Sequence, residues 1–192
     1  MAFVLAQDDM ADELLTQSPL ALLIGMVLDQ QIPMEKAFRG PYLLSQRLNG
    51  TLDAGQIASM DPIELETAFT AKPAIHRFPS AMSKRVMAIC RVVSESYGGQ
   101  AQRIWSEARD GLDLFERINS LPGFGPDKTR IFIALLGKQV GLTQQDWREV
   151  STPFGNEGTH MSVADIVDLE TLAAVRDFKQ EMKRAQKQAA AR

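Results

Sequence analysis

The sequence predicts an all-α protein. Apolar residues recur at three- and four-residue steps in several segments, and no alternating stretch rich in Val, Ile or Thr is long enough for a β-sheet. The composition, 45% hydrophobic and 23% charged, is close to that of folded proteins. We therefore expect helices separated by turns in which Gly and Pro are frequent.

The first part of the chain contains three helix signals. Ser18 and Pro19 are typical of a cap and first turn, and predict a helix over 20–31. A second helix is predicted over 34–47, with an interruption near residues 40–41, where Gly and Pro are adjacent. Asp61, followed by Pro and an acidic third position, predicts the start of a short helix.

The second part is predicted to contain four helices. The clearest covers 80–97, where apolar residues recur at helical spacing until Gly98 and Gly99 end the pattern. The other predicted elements are helices over 113–120 and 127–140, a loop over 151–158, a capped segment from Ser162, and a final helix from 168 or 169.

The chain has few residues with which to bind a metal or cofactor. Cys90 is the only cysteine, which excludes an intrachain disulfide or a Cys-ligated iron-sulfur cluster. Only two histidines, His76 and His160, are present, so a His-based metal centre is not expected. His76 lies in a Pro-bounded loop, and we expect it to be structural. No cofactor is expected.

Hydropathy and charge indicate where the protein acts. The longest apolar run, 20–28, is shorter than the roughly 20 residues that span a bilayer. Residues 1–20 contain no Lys or Arg, so a secretory signal is not expected, and we predict a cytoplasmic protein, nucleoid-associated if bacterial, without membrane contact. The net charge of −3 argues against coating nucleic acid by bulk electrostatics, but permits a local phosphate site.

The most informative segment is Leu121-Pro122-Gly123-Phe124-Gly125, between two predicted helices. The two glycines permit a tight turn with positive φ, and the second helix then begins with amides that need an anion or water. This arrangement predicts binding to DNA phosphates without base recognition. The predicted DNA contacts are Gly123, Phe124, Gly125, Lys128, Thr129 and Arg130.

Two other interpretations of this hairpin compete with DNA binding. A nucleotide-binding loop requires Gly immediately before the Lys, where Asp127 stands, and a preceding strand, where the pattern is helical. A glycine turn that joins two helices without any ligand stays open as an alternative.

Three ordered segments, 22–31, 83–99 and the hairpin, resemble the helix-hairpin-helix glycosylases of base-excision DNA repair, the superfamily that includes endonuclease III. The resemblance covers 20–136. It implies a monomer with two helical lobes, 20–138 and 1–19 plus 139–192, and double-stranded DNA bound in the cleft between them.

The resemblance also implies roles for individual residues. Gln31, or its neighbour Gln30, matches the residue that enters the base stack when a base is extruded; a helix-terminal Gln that bonds the backbone is the alternative. Trp147 is a candidate to stack on that base, with packing in the core or between the lobes as its alternative role. The family's Schiff-base lysine corresponds to Asp127, so lyase activity is not expected. The essential carboxylate corresponds by spacing to Asp146, although the usual neighbours are missing and a helix-cap role is the alternative.

Some members of the family bind a monovalent cation through backbone carbonyls of the hairpin. The matching positions here are Asn119, Leu121 and Phe124. The sequence therefore predicts a monofunctional DNA glycosylase, with Asp146 as the catalytic residue, or a non-catalytic DNA-binding or damage-sensing protein on the same scaffold. The damaged or mismatched base is not identified.

Overall fold

The computed structural model describes residues 3–190, which form eleven α-helices and no β-strand. The predicted all-α class is confirmed for this part of the chain. The helices are α1 Asp9–Gln17, α2 Pro19–Leu28, α3 Met34–Arg47, α4 Ala54–Ser59, α5 Pro62–Thr70, α6 Pro79–Tyr97, α7 Arg103–Ser106, α8 Gly111–Asn119, α9 Pro126–Leu135, α10 Trp147–Val150 and α11 Leu169–Ala190.

Four predicted cap or stop residues agree with the structure. Ser18 caps α2 by accepting a hydrogen bond from the Ala21 amide, with Pro19 in the first turn. Asp61 caps α5 in the same way, and Gly98 ends α6 in the left-handed conformation, with φ +60°. Ser162 begins a short 3₁₀ turn, Val163–Asp165, with a complete capping box.

Two predictions about helix continuity were wrong. α2 ends at Leu28 rather than at residue 31. The predicted helix over 127–140 is present, with α9 ending at Leu135 and a π-helical turn continuing it to Val140. α3 runs without interruption through Gly40 and Pro41. A Cβ at Gly40 would lie 2.5 Å from Leu28 Cδ1, so this glycine permits close packing of α3 on α2.

α2 is the central helix of the core. Every residue from Leu20 to Leu28 is buried, and a Cβ at Gly25 would lie 2.8 Å from the Phe38 ring, which shows how closely α3 approaches. α4 and α5 pack on α6. Among the described helices, none alone has the length and hydropathy to cross a membrane, whereas α1 and α2, bent by 117°, satisfy that test as a pair.

α1 and α10 pack on different helices of the described chain. α1 packs on α2 and α3, whereas α10 packs on α8 and α9, and the 3₁₀ turn packs on α9. The division into lobes at residues 20 and 138 stays a prediction, and residues 1, 2, 191 and 192 of the second lobe lie outside the described chain.

Candidate nucleic-acid interface

The hairpin turn between α8 and α9 requires glycine at position 123. The Phe124 amide donates to the Leu121 carbonyl at 3.1 Å, and Gly123 has φ +89°. Proline followed by a residue with positive φ is the pattern of a type II turn. A Cβ at Gly123 would also lie 2.4 Å from Arg85 Cδ, so both the backbone and the packing exclude a side chain.

Gly125 has a different role from the one predicted. Its φ of −127° and ψ of 176° are extended, so it needs no glycine for conformational reasons. It precedes α9, and a Cβ built on it meets nothing within 4 Å. No side chain among residues 3–190 caps the first turn of α9. The amides of Asp127 and Lys128 therefore face an open surface at the positive end of a helix, where an anion is stabilised.

The Lys128 ammonium points toward the end of α2 rather than outward beside the hairpin amides, so its predicted contact with DNA phosphates at the hairpin is not supported. Its ammonium donates to the carbonyls of Met26 at 3.1 Å and Val27 at 3.3 Å. These groups belong to the last turn of α2, whose carbonyls lack helical partners. Asp127, at the family's lysine position, is instead 86% exposed.

The charges of Asp29 and Lys128 act on each other at the end of α2, although the two groups form no ion pair within the described chain. Burial raises the pKa of the Asp29 carboxyl, although Lys179 and Lys128 partly oppose this effect. Burial lowers the pKa of Lys128, opposed by the charge of Asp29. Both shifts move the pKa of the group toward neutral pH, which favours the uncharged forms of Asp29 and Lys128 relative to free side chains. Groups with pKa values perturbed in this way are frequent in active sites. No motif in the sequence indicated Asp29.

A cavity of about 510 Å³ opens beside Asp29. One wall is the segment 29–35 between α2 and α3, and the other is α11. Asp29 and Glu35 contribute acidic groups, while Arg176, Lys179 and Lys183 contribute cations. The cavity combines apolar walls with these few charged groups, as ligand sites commonly do.

The two glutamines of this segment differ in their availability. Gln30 Nε2 donates to the Val27 carbonyl at 2.7 Å, and its Oε1 accepts from Arg85 at 2.8 Å. These bonds hold Gln30 in place, so its predicted insertion into DNA is not supported. Gln31 is exposed and has φ +55°, an unusual backbone for this residue type. Its predicted insertion stays compatible with the structure.

Arg85, which sequence analysis missed, joins the two parts of the interface. Its guanidinium binds Gln30, while its methylene groups cover Gly123. The 29–35 segment and the hairpin are therefore neighbours. The only signal in the sequence was its position in the 83–99 block, where its partner could not be recognised.

Other predicted hairpin contacts are mostly internal. Thr129 is fully buried and hydrogen-bonds the Asn119 side chain at 3.4 Å. Phe124 packs against Phe132, with ring centroids 5.7 Å apart. Direct DNA contact by the buried Thr129 side chain is therefore not supported, whereas contact by the half-buried Phe124 stays a prediction. Arg130 is partly exposed and pairs with Asp127 at 3.1 Å, so it is available at the surface.

The predicted cation site at the hairpin stays a prediction. The Leu121 carbonyl already accepts the Phe124 amide, which leaves it one further lone pair. The carbonyls of Asn119 and Phe124 complete the predicted set. Within residues 3–190 no group of three or more His, Cys, Asp or Glu side chains is arranged for a metal ion.

Asp146 is a structural cap rather than a cleft residue. Its Oδ1 accepts the Gly111 amide at 2.8 Å, at the first residue of α8. The hairpin lies after the other end of α8, and a nine-residue helix is about 13 Å long. Asp146 is thus remote from the hairpin turn, and its predicted catalytic role is not supported. Only its alternative interpretation, a helix cap, agrees with the structure.

This assignment predicts the effect of replacing Asp146. We expect Asp146→Ala to lower the free energy of unfolding by about 1 kcal/mol, the usual cost of losing a cap. DNA binding should stay unchanged. Urea denaturation and fluorescence anisotropy with a labelled duplex measure the two effects. Weaker binding without loss of stability would contradict the cap assignment.

Trp147 is not available to stack on a base. It is 6% exposed, and a Cβ at Gly137 would lie 2.4 Å from its ring. The Arg148 guanidinium covers it, 4.4 Å from the ring centroid. Trp147 is therefore a packing residue between α10 and the π-helical turn, and the stacking prediction was wrong.

His76 is structural, as the sequence indicated. Its Nδ1 accepts the Phe78 amide at 3.0 Å, so Nε2 carries the proton that is donated to the Gln30 carbonyl at 3.0 Å. Burial lowers its pKa, which favours this neutral form. His76 therefore supports the backbone next to Gln31.

The interface thus consists of the open start of α9, Gln31, Arg85 and the pair Asp29 and Lys128. Comparisons with protein-family models, curated proteins and solved structures found no match to this chain. The function is accordingly inferred from the motifs and from this geometry.

Proposed function

We propose that this protein is a base-excision DNA glycosylase. The observation that carries the proposal is the position of Lys128: it belongs to the first turn of α9, whose amides face an open surface, yet its ammonium lies inside, beside Asp29. A phosphate site and a perturbed lysine–carboxylate pair are thus connected by a single helical turn. This juxtaposition suits an enzyme that holds the DNA backbone while it acts on a sugar.

DNA binding would begin at the hairpin. A phosphate bound to the amides of Asp127 and Lys128 would lie over Gly125, where no side chain obstructs it. Gln31, exposed on the neighbouring segment, would fill the space left by an extruded base. The contact is to the backbone and carries no sequence information.

Lys128 and Asp29 replace Asp146 as the proposed catalytic groups. The neutral amine of Lys128, favoured by burial, would attack C1′ of the sugar. The C1′–N bond then breaks, its electron pair leaves with the base, and the base takes up a proton from the carboxyl of Asp29, whose pKa burial raises. The lysine nitrogen then loses its proton and the C1′–O4′ bond opens, with its electron pair and that proton going to O4′. The covalent product is a ring-opened imine, so this proposal departs from the predicted absence of lyase activity.

The proposal is tested on a panel of duplexes that contain uracil, 8-oxoguanine, alkylated purines or mismatched adenine. Abasic-site formation on at least one duplex is expected, and borohydride should trap a covalent protein–DNA adduct. Base release without trapping would contradict the role of Lys128. No release on any duplex, with binding intact, would contradict the glycosylase proposal.

The phosphate site is tested by Gly125→Val. The extended backbone and the open space around Gly125 accommodate valine, so the cost should be about 1 kcal/mol or less, that of a poorer cap. The side chain would nevertheless cover the amides that bind phosphate. We expect duplex affinity, measured by fluorescence anisotropy, to fall about tenfold. Unchanged affinity in a folded variant would exclude DNA binding at this turn.

A second candidate function is a DNA-binding or damage-sensing protein without catalysis. The observation that favours it is the use of Asp146 as a cap, which leaves the family's expected carboxylate away from the hairpin. In that case Lys128 would only stabilise the end of α2. Tight binding to damaged duplexes without abasic sites would support this function.

A further inference from the structure

The C-terminal helix α11 changes character along the side that faces the cavity. Near its start this side is apolar, with Leu172 and Val175 buried. Further along, the same side carries Arg176, Lys179 and Lys183, which line the cavity. A helix that only packs against the core would continue the apolar pattern.

The cations of α11 form a stripe. At 100° per residue, Arg176, Lys179, Lys183 and Lys187 fall within an arc of about 80°. The acidic residues of the helix, Glu170, Asp177 and Glu181, lie outside this arc. The stripe is therefore uniformly positive although the whole chain has a net charge of −3.

Most of this positive charge is unpaired. Arg176 binds Glu35 of α3, which neutralises the acidic group opposite. In the part of the chain that the structure describes, Lys179, Lys183 and Lys187 form no ion pair. Three like charges along one face of a helix repel each other, and a polyanion would relieve this repulsion.

We propose that Lys179, Lys183 and Lys187 bind the phosphate backbone of DNA as a second contact, in addition to the hairpin. This inference rests on the proposed function and extends it, because it assigns a role in DNA binding to α11. The hairpin supplies oriented amides at one fixed phosphate, whereas the lysines supply mobile charge along several phosphates. Together they would hold DNA on both sides of Asp29.

The test uses the triple variant Lys179→Gln, Lys183→Gln and Lys187→Gln in the full chain. Binding of an undamaged labelled duplex is measured by fluorescence anisotropy between 50 and 200 mM salt. Loss of three phosphate contacts should reduce the slope of log affinity against log salt concentration by about 2.7. The fold-decrease in affinity between 50 and 200 mM salt should therefore be roughly 40 times smaller for the variant than for the wild-type protein.

A matched control removes the same charge elsewhere, with Lys72→Gln, Arg91→Gln and Arg103→Gln, and should keep nearly the wild-type slope. Circular dichroism checks that both variants are folded. If the α11 variant keeps the wild-type slope, the inference is overturned while hairpin binding stands. If the wild-type protein does not bind the duplex, the proposed function fails as well.

Discussion

Lys128→Met is expected to abolish base release, with a loss of about 10²- to 10⁴-fold in the single-turnover rate. Methionine keeps the length and apolar character of the buried stem but removes the amine that would attack C1′. The borohydride-trapped adduct should disappear. Both effects are measured on whichever duplex the wild-type protein processes.

Lys128→Arg is the matched control for this substitution. Arginine retains a cation and donors for the Met26 and Val27 carbonyls, but its guanidinium stays protonated and forms no imine. We expect Lys128→Arg to bind DNA and stay folded while it fails to form the adduct. If either variant releases the base at the wild-type rate, Lys128 is only a structural cap of α2.

The burial of Lys128 also predicts the pH dependence of the reaction. Its pKa lies below the usual 10.5, because burial disfavours the charged form. The neutral amine is therefore present at a lower pH than in a free lysine, and the rate should rise with pH to a midpoint below 10.5. The lowered pKa also makes stability depend on pH. Because the native state releases this proton at a lower pH than the unfolded state, the free energy of unfolding increases as pH rises from the native pKa of Lys128 toward 10.5.

Helix positions were predictable where a cap residue and a periodic apolar face occur together. Ser18 and Gly98 illustrate this, because their roles depend only on neighbours within a few residues. The continuity of α3 was not predictable, because the close contact between Gly40 and Leu28 depends on two helices meeting. The helix α1 was missed, although Asp8 caps it by accepting the Ala11 amide.

The candidate site was predictable only as a segment. The glycines of the hairpin follow from local geometry, and Gly123 indeed has the positive φ expected. Which side chains face inward does not follow from spacing alone: Lys128 rather than Asp127 reaches the interior because the carbonyls of α2 lie there. Asp146 had the right distance along the chain, but the first amide of α8 was a partner that the sequence could not reveal.

Trp147→Ala is expected to lower the free energy of unfolding by about 3–5 kcal/mol. The ring is 6% exposed and fills the space beside Gly137, where no side chain could take its place. For a chain of 192 residues, this corresponds to a decrease in melting temperature of roughly 10 °C. Chemical denaturation and thermal melting measure the two quantities.

Phe78→Ala provides the control for removing an aromatic side chain. Phe78 is 43% exposed, so its removal should cost well under half as much as that of Trp147. A packing role and a base-stacking role for Trp147 predict opposite outcomes. A packing residue loses stability when replaced, and the remaining folded protein binds DNA normally. A residue that stacks on an extruded base would leave stability nearly unchanged and weaken binding by about 1–3 kcal/mol.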